Sequence, residues 1–395
     1  MNRTLLITSR RGKILSLLYQ NTRLIRANAY EAAGDGLASI YLGKVKNVVP
    51  SLEACFVEYQ PDKIGFLPMK QVKNPILTNR AYNGRLIAQD EVVVQLEKEG
   101  IKTKGPSLTC NLSFSGKYCA VTTGDLKIGF SSKLSRLHKE KLRKELSAKG
   151  IEARLRQEGV GIVIRTNAGE LETISSLWEE MEQLLEEKNR LFSQAHHRTC
   201  FSRLYQPLSP YLAGIRDLYE HSYDKILTDE EGLFQEITRA FPNIRNKLQF
   251  YQDERISLSR LYNVETRLQE ALSEKVWLKN GAYLVIQPTE ALTVIDVNSG
   301  KNQTKGKDED IVFRINREAA QEIALQLKLR NLSGIIIIDF INQSSCEQDK
   351  ELVQYLTRLV KKDAVQTDVL GMTTLGLVEV TRKKISKPLR EQLKA

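Results

Sequence analysis

Apolar and polar positions change rhythm several times along this chain, and each change predicts a different kind of element. Residues 1 to about 35 alternate in short runs broken at Arg11-Gly12 and Asn21, which predicts a β-meander. From Ala38 to about Cys110 the runs SIYLGKV, ACFVEY, IGFLPM and VVVQLEKE read as short strands, with a turn at Gln60 to Lys63. That rhythm suits a small β-barrel. Between about 111 and 205 a second β-rich piece precedes helices. LSRLHKEKLRKELSAKG carries Leu134, Leu137, Leu142 and Leu146 at helical spacing and stops at Gly150. GVGIVIRTNAGE predicts a strand entering a loop, and ISSLWEEMEQLLEEKNRLF an amphipathic helix. Residues 206–271 are polar, are broken by Pro207, Pro210 and Pro242, and predict mainly helix. The remainder interleaves the strands AYLVIQP, ALTVIDVNS and SGIIIIDF with the helices FRINREAAQEIALQLKLRN and ELVQYLTRLVKKD, which implies an α/β domain. The fold class is therefore multidomain, part β and part α/β.

Composition narrows the partners. A chain of 395 residues exceeds what one ordinary core supports. Its net charge of +11 favours a polyanion, either nucleic acid or an anionic membrane surface. The longest aliphatic run, Ile335 to Ile338, stops at Asp339, far short of a membrane span, and the charged N-terminus lacks a signal-type apolar core. The expectation is a cytoplasmic protein. Cys55, Cys110, Cys119, Cys200 and Cys346 are scattered and odd in number, so they predict reduced thiols and no cysteine zinc site.

Candidate chemistry sits in the last segment. In TVIDVNSG, period-two alternation puts Asp296 and Asn298 on one strand face and Ile295 and Val297 on the other. Asp339 follows four isoleucines, a pattern expected of a strand buried on both faces, where a lone carboxylate costs about several kcal/mol unless paired or bound to a cation. The helix over 316–330 is long enough to be a crossover that makes the two strands parallel neighbours and brings both acids to one sheet edge. Two adjacent carboxylates suit Mg²⁺, a hard cation that prefers oxygen ligands and keeps several waters. The competing explanation is that both aspartates are ordinary strand-end turn or cap residues, and spacing alone leaves that open.

The runs PTEALTVIDVNSG, INREAAQEIALQLKLRNLSGIIIIDF and LGLVEVTRKK closely resemble the catalytic region of the bacterial ribonuclease E/G family. IYLGKVKNVVPSLEACFVEY, IGFLPM, KGPSLT and GIVIRTNAG extend the resemblance over nearly the whole chain, and size leans towards the G branch. The resemblance implies a ribonuclease H-like subdomain split in sequence (1–35 and 206–271), an inserted S1 (OB-fold) barrel (36–110), a 5′-sensor region (111–205) and a DNase I-like α/β subdomain (272–395). It implies an endoribonuclease that hydrolyses single-stranded RNA to 5′-phosphate and 3′-hydroxyl ends, acting on rRNA and tRNA precursors and on mRNA. Asp296 and Asp339 match its metal-binding aspartates, with Mg²⁺ the expected ion and Mn²⁺ a substitute, and Asn298 matches the assisting asparagine. Phe56, Phe66 and Lys104 match RNA contacts, and Gly116, Ala120, Arg165 and Thr166 match residues that read a 5′-monophosphate. Without the resemblance, both phenylalanines read as core and Arg165 as a solvated loop arginine. The family's C-P-x-C zinc motif is missing before the end at LREQLKA, so any homodimer is expected to form without structural zinc.

Other classes fit less well. A catalytically weak RNA-binding scaffold would keep the barrel and the charge, whereas a metal phosphatase or DNase leaves the aromatic barrel without a purpose. His196-His197 lacks an acidic or cysteine partner, and adjacent helical residues diverge by about 100°. No P-loop or G-x-G-x-x-G pattern occurs. Arg382-Lys383-Lys384 is read either as a phosphate contact or as solvated surface.

Overall fold

The computed structural model describes residues 2–31, 36–98, 105–218, 222–300, 309–343 and 345–394. The chain divides into two compact units, Met1–Ala32 with Glu220–Ala395, and Ala33–Tyr219.

In the first unit the meander forms as the alternation predicts. Arg3–Arg10, Lys13–Gln20 and Arg23–Glu31 pair antiparallel in sequence order. The turns fall at Arg11 and Asn21, both in the left-handed region. Arg3–Arg10 also pairs in parallel with Lys225–Thr228, and that strand with Leu248–Phe250. The stretch 206–271 is mainly helical, as expected, but two of its short apolar runs form strands that complete this five-stranded sheet. Helices Val264–Leu272 and Leu389–Gln392 bury Leu268 and Leu389 against Leu15, Leu17 and Tyr19.

The same unit holds a six-stranded sheet in the order Lys275–Trp277, Tyr283–Pro288, Leu292–Asn298, Gly334–Asp339, Leu377–Arg382, Thr367–Met372. Helices Glu309–Leu329 and Cys346–Val360 pack on one of its faces. They bury Ala319, Ile323, Leu352 and Leu356 against Ile295, Val297, Ile336, Ile338 and Val380. Among the described residues no helix covers the opposite face: Ile335 is 52% exposed and Ile337 only half-buried. The four isoleucines therefore do not mark a strand buried on both faces, since helices cover one side alone.

In the second unit, strands Ile40–Val49, Ala54–Gln60, Lys63–Pro68, Ser107–Thr109 and Glu91–Lys98 pair in a closed ring. This five-stranded barrel is consistent with an OB-type fold. Its interior is Val45, Val57, Leu67, Val94 and Leu108. A Cβ on Gly65 would lie 2.6 Å from the Leu108 side chain, so the barrel wall needs glycine there. The loop before Glu91 is fixed by buried Asp90, which accepts hydrogen bonds from Arg80 Nε and Nη2 and from the Ile87 amide.

A four-stranded sheet follows, Ile128–Phe130, Gly161–Ile164, Cys119–Thr122, Ser113–Ser115, against helices Arg136–Ala148, Ile151–Glu158 and Ser175–Ala195. Leu142 and Leu146 are buried as the helical spacing requires, but Leu137 is 78% exposed, one residue off the buried stripe. Among the described residues no helix is long and apolar enough to cross a membrane.

Two of these helices are tied by charge. Lys188, buried, donates to Glu158 Oε2 at 2.8 Å, and Arg154 bridges Glu158 and Glu182. Hydrogen bonds from Lys188 and then Arg154 hold the Glu158 carboxyl at about 2, below its ordinary 4.5. A depressed carboxyl stabilises fully above 4.5, and its contribution is lost as pH falls through about 2. Glu158→Gln should cost about 2 kcal/mol at neutral pH and flatten the acid limb of stability in that window. Denaturation curves over that range check both, and an unchanged acid limb would contradict the assignment.

Candidate active site

Strand Leu292–Asn298 runs parallel to Gly334–Asp339, joined through helix Glu309–Leu329, and the register pairs Asp296 directly with Asp339. Residues paired across neighbouring strands share a face, so both carboxylates stand on the open side of the six-stranded sheet. Asp296 is half-buried and Asp339 exposed, hence neither bears the desolvation cost that a fully buried strand would impose. Asn298, two residues along and on the same face, donates from Nδ2 to Asp296 Oδ2 at 2.6 Å. The three residues singled out in the sequence are thus brought together. Just beyond, Gly300 has φ +63, and a Cβ there would run into the Gly281 carbonyl, so the turn leaving Asn298 requires glycine.

One residue of this centre escaped the sequence reading. Asn316 is fully buried on the apolar stripe of its helix, with Nδ2 donating to the Ile341 carbonyl at 2.8 Å and Oδ1 accepting from the Ile341 amide at 3.1 Å. It clamps the chain two residues after Asp339. Its signal was a polar residue beside Ile315 and ahead of Ala319, Ala320 and Ile323, where the helical period demands apolar groups.

Among the described residues no three His, Cys, Asp or Glu side chains converge as a metal-binding group. Two carboxylates and an amide do fit a hard ion that keeps several waters, as Mg²⁺ does, and lack the four N/S ligands of structural zinc. His196 and His197 are exposed at a helix end. Arg382 is neither a phosphate contact nor surface: it is buried, donating to Asp363 Oδ2 at 2.8 Å and to Asn331 Oδ1 and the Leu332 carbonyl.

On the barrel, Phe56 and Phe66 are cross-strand partners, their rings 5.9 Å apart and edge-on. Both are half-buried while Cys55, Val57 and Leu67 point inward, so neither belongs to the barrel core. Lys104 lies outside the described residues.

The candidate sensor residues also cluster. Arg165 follows strand Gly161–Ile164, donates to the Gly116 carbonyl and grips Asp217 with two hydrogen bonds at 2.9 and 2.8 Å. Burial alone would push the Asp217 carboxyl up, but hydrogen bonds from Arg165 and Arg216 outweigh it and hold it below the usual carboxylate range. Thr166 shares a 2.8 Å hydrogen bond with Ser131, and Ala120 lies in the neighbouring strand opposite Val163. Glu180 accepts from the successive amides of Lys117, Tyr118 and Cys119. A Cβ on Gly116 would collide with that carboxylate. The loop therefore presents a run of anion-binding N–H groups, occupied here by Glu180.

Comparisons with known proteins find relatives over most of the chain. A family model described as "Ribonuclease E/G family" matches residues 113–385. The chain is similar to ribonuclease G of Escherichia coli (strain K12), 32% identical over 384 residues, covering 92% of this chain and 76% of that protein. It is also similar to ribonuclease E of Haemophilus influenzae, 31% identical over 366 residues (90% of this chain, 38% of that protein). With ribonuclease E of Synechocystis sp. it shares 32% over 382 residues (94% and 55%). The chain spans less than two thirds of either ribonuclease E.

If Asn316 anchors the strand end, Asn316→Leu leaves the Ile341 amide and carbonyl unpaired and should cost about 2 kcal/mol. Chemical denaturation measures this, and unaltered stability would remove the clamp.

Proposed function

The chain belongs to the ribonuclease E/G family, and from that premise we propose that it is a divalent-metal-dependent endoribonuclease acting on single-stranded RNA. The observation that carries this is the pairing of Asp296 with Asp339 on an open sheet face, with Asn298 hydrogen-bonded to Asp296. Asp296 and Asp339 would hold the ion, Mg²⁺ by the hardness of its ligands, and Mn²⁺ would substitute. When bound, the ion polarises the phosphodiester and acidifies an attacking water. Asn298 fixes one oxygen of Asp296 and leaves the other free to bind. The Asn316 clamp keeps Asp339 in register with its partner. Hydrolysis leaves a 5′-phosphate and a 3′-hydroxyl.

Phe56 and Phe66 supply the base-stacking contact that single-stranded RNA needs, and Lys104 a backbone contact. Arg165 and Thr166, with Gly116 and Ala120, read a 5′-monophosphate. A terminal phosphate offers more charge than the Asp217 carboxylate and competes with it for the Arg165 fork. The five-segment division, with a split ribonuclease H-like part and a DNase I-like part, belongs to the same reading. So do a cytoplasmic location and work on rRNA and tRNA precursors and mRNA.

Purified protein incubated with 5′-monophosphorylated, A/U-rich single-stranded RNA in Mg²⁺ should cut it internally. EDTA, Asp296→Asn or Asp339→Asn should each slow cutting by about 100-fold or more. Cleavage indifferent to all three would sink the metal assignment. Phe56→Ala or Phe66→Ala should weaken RNA binding by about 5- to 100-fold with the melting curve unchanged. Undiminished binding in a filter or anisotropy assay would remove the clamp.

A further inference from the structure

The open face that carries Asp296 and Asp339 also carries an aromatic pair that the mechanism above leaves unused. Strand Lys275–Trp277 pairs with Tyr283–Pro288, and that strand with Leu292–Asn298. Following the register across the sheet, Trp277 pairs with Tyr283 and Tyr283 with Asn298, while Lys275, Val285, Asp296 and Asp339 form the adjacent rung. Paired residues share a face, so Lys275, Trp277 and Tyr283 stand on the same side as the carboxylates. Two strand spacings, about 10 Å, separate Trp277 from Asn298.

This trio is built rather than scattered. The Trp277 and Tyr283 rings lie 5.2 Å apart, tilted by 58°. The Lys275 ammonium sits over both, 4.1 Å from the Trp277 ring centre and 3.6 Å from that of Tyr283. Trp277 is nevertheless 63% exposed. An indole held in place by a ring and a cation, with more than half its surface in water, has surrendered side-chain freedom without burying its apolar area. That arrangement is wasteful for stability alone and suited to stacking on a flat ligand.

We infer that Trp277, backed by Tyr283 and Lys275, is a stacking platform for a nucleobase of the single-stranded substrate, flanking the phosphodiester presented to Asp296 and Asp339. The inference takes its ligand class from the ribonuclease reading. A base stacks on the exposed indole, and Lys275 meets the adjoining phosphate. Stacking tolerates any base, so the platform adds grip and alignment rather than sequence preference. It is separate from the Phe56–Phe66 pair, which belongs to the other unit.

The chain has two tryptophans, Trp178 and Trp277, so a Trp178→Phe background makes Trp277 the sole indole reporter. Titration with a single-stranded oligoadenylate RNA in EDTA, where cutting is suppressed, should quench that fluorescence saturably. An abasic oligomer of the same length should not. Trp277→Ala should weaken binding about tenfold, Trp277→Phe should recover most of the loss, and both should melt like the parent. RNA that binds by anisotropy while Trp277 stays unquenched overturns the platform, as does a Trp277→Ala protein that binds and cuts like wild type. In either case cleavage by the wild type leaves the ribonuclease reading standing. Quenched, bound RNA that is never cut in Mg²⁺ supports the platform and overturns the ribonuclease reading. A protein that binds no RNA overturns both.

Discussion

The parallel pairing of Leu292–Asn298 with Gly334–Asp339 is the constraint on which the proposed chemistry depends. A slip of one residue would turn one aspartate into the helix-covered core and leave the other alone in solvent. The register is held from the buried side, where Ile295, Val297, Ile336 and Ile338 pack beneath two helices. It is held at the strand end by Asn316, which captures both backbone groups of Ile341. The site is therefore positioned by apolar packing on the face that carries no chemistry.

That division explains which parts were legible in the sequence. Asp296 and Asn298 were placed on one face by the two-residue period, and Asp339 beside them by the length of the intervening helix. Both inferences use local geometry, which sequence encodes directly. What covers a face is not encoded locally. Four isoleucines read as doubly buried, yet Ile335 is largely exposed because helices pack on one side only. The strands Lys225–Thr228 and Leu248–Phe250 were hidden for a related reason. They are short, and Lys225–Thr228 pairs with a strand far away at the start of the sequence, so no local periodicity announces them. Phe56 and Phe66 read as core from sequence alone and left it only when the barrel closed with their neighbours pointing inward.

The net charge of +11 suits the proposed RNA substrate without saying which cations meet it. Several arginines are already committed. Arg80 and Arg382 organise backbone and buried acids, and Arg154 braces two helices. Arg165 is also committed, to Asp217, in a cluster where carboxylates stand on donors suited to a phosphate. In the proposed sensor, such pairing would keep the donors aligned without substrate, and a terminal phosphate would have to compete with the carboxylates for them.

If Asp296 and Asp339 together hold a divalent ion, that ion can be made to report its own position. Fe²⁺ in place of Mg²⁺, with ascorbate and peroxide, generates hydroxyl radicals that cut backbone beside the metal, and mass spectrometry reads the breaks. Scission should cluster around residues 296–298 and 339, be suppressed by excess Mg²⁺ and be absent from the Asp296→Asn, Asp339→Asn double variant. Cuts that map elsewhere, or that persist unchanged in that variant, would contradict metal binding by this pair.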